Sequence, residues 1–377
     1  MRGHVHKRGQ TWTYVVDGGR DPATGRRRQR TKGGFRTKRL AEEALAAALQ
    51  SMHDGSFVAT DPQTVGEWID RWLVAMAPKI RSSTLRDYRM GLHRVKERLG
   101  HVRLQELRPL DVEELYASLL EDGHRFGGGL APKTVKNVHI ALRRSLADAE
   151  RFGLVNRNVA SLVKPPSATR PEFVTWTADD VRTFLAAVEG ESDAAAYRVL
   201  VATGMRRGEV LGLRWPSLDL ARGRLTIERS LTVVDSVVVW SPPKTARSRR
   251  SLSLDPVTVA ALRAHRVAQL EARVAAGDAW NSEIDLVFCD EIGDVLHPNR
   301  FTRRFQSAAR RAGVPVIRLH DLRHTWATLA LQAGVHPKIV SERLGHATTG
   351  ITLDIYSHVQ PTLDAEAAVT VADLFAG

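Results

Sequence analysis

Tyr356 closes a series of polar residues whose types suit phosphoryl transfer. It stands in Leu353-Asp354-Ile355-Tyr356-Ser357-His358. Upstream lie Leu344-Gly345-His346, His320-Asp321-Leu322-Arg323-His324 and Thr203-Gly204-Met205-Arg206-Arg207-Gly208-Glu209. A phenol has a pKa near ~10 and is a weak nucleophile at neutral pH unless its proton has somewhere to go. Two guanidiniums can neutralise the charge that gathers on a phosphoryl group, a task metal ions perform elsewhere. The planar fork of an arginine also matches two phosphate oxygens better than a lysine does. The series therefore suggests a nucleophile with a phosphate-binding pocket that requires no metal and no cofactor.

Each candidate has a plainer alternative. Arg206 falls where an apolar helix containing Tyr197, Val199, Leu200 and Val201 stops at Thr203-Gly204, just before a second one with Glu209, Val210 and Leu211. Arg207 competes with it for the same role, and Glu209 reads as a group that orients an arginine. His320 and Arg323, three apart, share one face of a helix. His320, His324 and an outside carboxylate would instead make a zinc site, although no third ligand is evident; ordinary core histidines are the other reading. Lys244, in Ser241-Pro242-Pro243-Lys244-Thr245-Ala246-Arg247-Ser248, sits at an expected hairpin tip. It is a surface lysine unless its place between Arg206 and His320 matters.

These residues need elements to hold them. Trp12, Tyr14 and Val16 alternate as in a half-buried strand, Arg20–Gly25 reads as a turn, and Arg26–Thr31 returns as a basic strand. An alanine-rich helix follows from Thr37 to Met52, with Leu40, Ala44 and Ala48 on one side. A small sheet on one helix with an exposed basic strand suits groove binding; Arg26, Arg27, Arg28, Arg30 and Lys32 are its candidate DNA contacts. Residues 61–165 read as all-helical. Thr64 and Glu67 form a capping box before Trp68, Ile69, Trp72 and Leu73. A second helix carries Leu85, Tyr88, Leu92, Val95 and Leu99, Asp111 caps a third, and a long one runs from Pro132 to Phe152. Lys133, Lys136, Arg143 and Arg144 lie along that last helix and can face phosphates or simply water. Lys164–Pro171 is the clearest linker. Beyond it, Thr177 caps a new helix, and 225–254, rich in Val, Thr and Leu, predicts a small antiparallel sheet.

The bulk numbers limit the partners. The chain has 377 residues, enough for two or three domains. Its 55 Lys and Arg against 42 Asp and Glu give a net charge of +13, which favours a polyanion, nucleic acid before an anionic membrane. Residues 1–60 alone hold 12 basic and 5 acidic side chains. No apolar run reaches the roughly 18 residues of a membrane span, and no signal core follows the N-terminus. Cys289 is the one cysteine, so neither an intrachain disulfide nor a cysteine zinc finger is possible. The expectation is a soluble, cytoplasmic, nucleoid-associated protein.

Taken in order, Ala202–Glu209, Leu319–Thr325, Leu344–His346 and Leu353–His358 resemble the motifs of the tyrosine recombinase (phage integrase) family. The helical segment resembles that family's core-binding domain, and residues 1–60 the arm-type DNA-binding module of some integrases. Trp326 stands where the family often has a smaller aromatic, and Asn158-Val159 where it often has Asn-Pro. The resemblance implies a multidomain, predominantly α fold. It would comprise a small α+β arm-binding domain (1–60), an all-α SAM-like core-binding domain (61–165), a linker (166–171) and a mainly helical catalytic domain with a small antiparallel sheet (172–377). It implies site-specific cutting and rejoining of double-stranded DNA through a 3′-phosphotyrosyl link, without metal or ATP. Tyr356 would attack; Arg206 and Arg323 would hold the non-bridging oxygens; His320 would assist proton transfer; His346 would hydrogen-bond the phosphate; Lys244 would protonate the leaving oxygen. Arg247 would join the DNA contacts. A homotetramer on core-type and arm-type sites follows, with an excisionase or DNA-bending protein as accessory partner. Integration of a phage or mobile element is the expected use. A chromosome-resolving recombinase, a type IB topoisomerase or a catalytically silent DNA-binding regulator are the alternatives.

Overall fold

The computed structural model describes residues 3–20, 27–53, 58, 60–124, 126–167, 174–241, 249–345, 350, 369, 372 and 375, with the side chains of 18–20, 27, 28, 30 and 51 left out. The chain divides into two compact units, Met1–Thr169 and Arg170–Gly377.

The first unit begins with an antiparallel sheet of β1 (Gly3–Arg8), β2 (Thr11–Arg20) and β3 (Arg27–Phe35), with β2 in the middle. The first of these strands is an addition to what the alternation at Trp12–Val16 predicts. Helix α1 (Lys38–His53) covers one face, burying Tyr14, Val16 and Ala48 with Val5, Phe35 and Leu45 around them. A register shift between Trp12 and Tyr14 buries Thr13 beside Tyr14, which breaks strict alternation. Leu40 departs from expectation: it is exposed, and Ala41 faces inward in its place.

Four helices follow: α2 (Val65–Met76), α3 (Ser82–Leu99), α4 (Pro109–Asp122) and α5 (Pro132–Arg151). The Thr64–Glu67 capping box opens α2 as its sequence predicts. Asp111 acts from inside the first turn of α4, returning its carboxylate to the backbone N–H of Arg108, so that helix starts at Pro109, earlier than the acidic residue suggested. Trp68, Ile69, Trp72, Leu92, Leu119 and Leu142 fill the core. Its few buried polar groups are paired where they matter for position: the Trp72 indole N–H donates to Asp148 at 2.7 Å, and Tyr116 Oη lies 2.9 Å from His139 Nδ1.

In the second unit, α6 (Ala178–Ala187) opens on the Thr177–Asp180 capping box. It is followed by α7 (Ala194–Thr203) and the short α8 (Arg207–Leu211). The expected single sheet is two. Strands β4 (Leu218–Asp219), β5 (Arg224–Ile227) and β8 (Arg250–Ser253) form one, and the hairpin β6 (Ser230–Val234) with β7 (Val237–Ser241) forms the other. Helices α9 (Pro256–Ala276), α10 (Pro298–Arg311), α11 (Asp321–Gln332) and α12 (Pro337–Leu344) complete the described part. Trp176, Phe184, Tyr197, Phe301 and Phe305 stack into a shared aromatic core that fixes α6, α7 and α10 to one another. The Trp176 backbone N–H donates to Thr325 Oγ1 at 3.1 Å, which ties α11 to that core.

Candidate active site

Three segments distant in sequence meet at the junction of α7 and α8. Helix α7 ends at Gly204, whose φ of +63° is the left-handed conformation that favours glycine. A Cβ there would lie 2.5 Å from Leu344 Cδ2 and 3.3 Å from the Trp326 ring, so α11 and α12 pack directly against this turn. Arg206 follows in extended backbone as the residue before α8.

Glu209 is the hub. It is 4% exposed, its Oε2 accepts the backbone N–H of Arg206 at 2.9 Å, and its Oε1 accepts Arg206 Nη1 at 2.8 Å. On the other side the guanidinium of Arg250, on β8, reaches both carboxylate oxygens, with Nη2 to Oε2 at 3.1 Å and Nη1 to Oε1 at 3.3 Å. Burial alone would raise the Glu209 pKa; Arg250 and then Arg206 more than offset it and hold the carboxyl below its usual range. Arg250 Nε also donates to the Arg343 carbonyl, near the end of α12, at 2.6 Å.

Arg323, on α11, is 3% exposed. Its Nη1 donates to the Gly204 carbonyl at 2.9 Å and its Nη2 to the Leu344 carbonyl at 2.6 Å. Arg206 Nη2 lies 3.5 Å from the next carbonyl, that of Gly345. Two arginines from different elements thus grip consecutive carbonyls at the end of α12, one residue before His346. Burial, followed by the charge of Arg206, pushes the Arg323 guanidinium down to about 9, against the opposing pull of Glu209.

His320 stands at the start of α11, open to solvent on its outer side but with its ring packed against that of His324, and the turn beneath it is locked. The Asp321 carboxylate accepts the Arg318 backbone N–H at 3.0 Å and its guanidinium at 2.9 and 2.8 Å. Desolvation of the ring, then the charges of His324, Arg323 and Arg206, lower the His320 pKa to about 4. Its imidazole is therefore neutral at pH 7 and able to accept a proton. The His320 and His324 rings lie edge to face at 5.5 Å, and among the described residues no group of three His, Cys, Asp or Glu is placed to hold a metal ion.

The structure brings Arg206, His320 and Arg323 to one place. Lys244, Arg247, His346 and Tyr356 lie outside the described residues. Arg207 turns elsewhere, donating to Thr302 Oγ1 at 2.8 Å and the Pro298 carbonyl at 3.2 Å, where it braces α8 against α10. Arg250 is the residue the sequence reading passed over. Its signal was the alternation with buried Leu252, which places both on the inward side of β8. Of the basic residues proposed for DNA, Arg26 is not described, and Arg27, Arg28 and Arg30 lie on β3 with undescribed side chains. Lys32 is exposed on β3; on α5, Lys133 and Arg143 are exposed and Lys136 is half-buried.

Comparison with known proteins agrees across the chain. Residues 175–362 match the phage integrase family, 4–52 an arm DNA-binding domain, and 64–120 the N-terminal SAM-like domain of phage integrases. An integrase of Streptomyces ambofaciens is 28% identical over 97% of this chain and 94% of its own. A XerC-like tyrosine recombinase of Caldanaerobacter subterraneus is 26% identical, covering 90% of each chain. Among solved structures, the Tn1549 transposon integrase in complex with transposon right end DNA superposes with a TM-score of 0.67 at 20% identity, over 82% of this chain and 99% of that one. A lambda integrase tetramer bound to a Holliday junction gives 0.58 at 18% identity, over 93% and 94%.

Proposed function

The chain belongs to the tyrosine recombinase (phage integrase) family, enzymes that break and rejoin DNA, and on that premise we propose that it integrates a phage or mobile element through a covalent link to Tyr356. The observation that carries the reading is the pair of guanidiniums, Arg206 and Arg323, fastened to the Leu344 and Gly345 carbonyls that lead into His346. Cations fixed around a point need no reorganisation when a phosphodiester arrives.

In this reading Arg206 and Arg323 hold the non-bridging oxygens and His346 donates a further hydrogen bond. The Tyr356 oxygen forms a bond to phosphorus as the bond to the 5′-oxygen breaks. Neutral His320 takes the phenolic proton, and Lys244 gives one to the departing 5′-oxygen. The phosphoester is conserved, so rejoining is the same step reversed and draws on no nucleotide or metal. The domain assignment is 1–60 for arm-type sites, 61–165 for core-type sites, 166–171 as linker and 172–377 for catalysis. The arm module favours integration over chromosome resolution. The tetramer seen for lambda integrase supports a homotetramer on paired sites, and no helix among the described residues is long and apolar enough to cross a membrane, in keeping with cytoplasmic action.

The test is a nicked duplex carrying a site selected from random DNA by the purified chain. A covalent adduct is expected in EDTA without ATP, and Tyr356→Phe should abolish it while duplex binding persists. An adduct that survives this substitution would remove Tyr356 as the nucleophile.

A further inference from the structure

Helices α7, α11 and α12 and strand β8 meet around Arg206 and Arg323, and one side chain of α12 reaches the other three elements. Arg343 lies near the end of α12 and is half-buried. Its Nη2 donates to the Ser253 carbonyl, at the end of β8, at 2.9 Å. The same nitrogen lies 3.5 Å from the Ala202 carbonyl, in the last turn of α7, where carbonyls lack partners within the helix. The guanidinium carbon stands over the Trp326 ring of α11, 5.3 Å from its centroid. Each of these contacts is close in sequence to a group of the site. Ala202 precedes Arg206 by one helical turn, Ser253 follows Arg250 on β8, and Trp326 lies one turn beyond Arg323. Arg343 itself is followed by the Leu344 and Gly345 carbonyls that Arg323 and Arg206 hold.

Stability gives no reason for an arginine at this place. No carboxylate forms an ion pair with it among the described residues, and its Nε is buried without a hydrogen-bond partner. Burial, then the charge of Arg250, lowers its pKa, against the opposing pull of Asp255. A half-buried cation so placed costs free energy that an apolar side chain of similar length would not. What an arginine adds is a planar group whose edge donates to carbonyls while its face rests on an indole. We propose that Arg343 is a positioning residue for strand cleavage. It fixes the end of α12 against α7, β8 and α11, so that the Leu344 and Gly345 carbonyls hold Arg323 and Arg206 where a phosphate meets them. This rests on the reading of the chain as a recombinase and adds to it a residue that acts through others.

The experiment measures covalent adduct on the nicked duplex for the full-length chain and its Arg343→Met and Arg343→Lys variants, together with duplex affinity and melting temperature. Both substitutions leave the Arg343 carbonyl, and with it the bond from Arg250, in place. The adduct rate of Arg343→Met at saturating DNA should fall roughly tenfold or more, toward the roughly 100-fold that an error of about 1 Å can cost. Duplex affinity, set by many phosphate contacts, should change less than about twofold. The melting temperature should shift by no more than about 4 °C. Arg343→Lys keeps a donor for one carbonyl and should react faster than Arg343→Met. Three results would overturn the positioning role while the wild type still forms its adduct: an unchanged rate in Arg343→Met, a rate loss matched by the loss of folded protein, or a lysine variant no faster than the methionine one. If the wild type forms no adduct, the recombinase reading fails and this inference with it.

Discussion

At the scale of single residues, the site depends on which charges balance which. Glu209 serves two arginines, and Arg250 is the one with no other exit to solvent. Removing one partner of a buried ion pair leaves the other uncompensated and costs on the order of 3 kcal/mol. Arg250→Met should lower the melting temperature of the catalytic unit and reduce adduct formation at saturating DNA, with duplex affinity little changed. Arg250→Lys, which cannot span both oxygens, should recover stability more than rate. An unchanged melting temperature would show that Arg206 alone satisfies Glu209. His320 gives a pH signature. Its ring is protonated near 6.5 in the unfolded chain and near 4 in the folded one, so the folded form holds fewer protons between those values. Its contribution to stability is intact above about 6.5 and is lost as the pH falls toward 4. An NMR titration should find the His320 midpoint well below the ordinary imidazole value of about 6.5, and an added oxyanion such as vanadate should raise it. A midpoint near 6.5 in the free protein would dismiss neutral His320 as the proton acceptor.

At the scale of elements, the site is a junction: one turn, one strand and the ends of two helices. Gly204 is where they converge. Gly204→Ala puts a Cβ into left-handed backbone, at a cost of roughly 1–2 kcal/mol, and against Leu344, whose carbonyl holds Arg323. The rate of adduct formation should fall far more than the melting temperature, because an error of about 1 Å in a positioned charge can cost 100-fold. Equal losses in both would mean that the turn only stabilises. Helices α2 and α6 were legible from their capping boxes and α5 from its apolar spacing, since both signals are local. Strand β1 and the division into two sheets were not. They depend on pairing across the fold, which alternation along one strand does not encode. Arg206, His320 and Arg323 were legible because phosphate chemistry restricts residue types. Arg250 was missed because an arginine in a run of arginines looks like surface until its strand is seen to face inward.

At the scale of the molecule, the small core of Tyr14, Val16 and Ala48 shares no buried residue with the helical core around Trp68 and Trp72 or with the core around Phe184 and Phe305. Deletion of residues 1–60 should therefore leave the helical and catalytic parts folded and adduct formation on a core duplex intact. Affinity for longer DNA carrying arm-type sequence should drop, and the salt dependence of binding should become shallower, because fewer counterions are released. An unchanged salt slope would reject the arm assignment. The charge distribution anticipated this division, since residues 1–60 carry a large share of the excess positive charge.

The grip of Arg323 on the Leu344 carbonyl has a thermodynamic corollary. A phosphate that draws on the same guanidinium cannot be indifferent to where α12 ends, and the segment starting at His346 is joined to that end. Binding of an anion at Arg323 and the position of the end of α12 are then two sides of one equilibrium, and coupling of this kind is reciprocal. Whatever shifts the end of α12 must alter affinity for the anion by the factor by which the anion alters its own. Helix position and anion affinity would then be one measurable quantity, obtainable from either side.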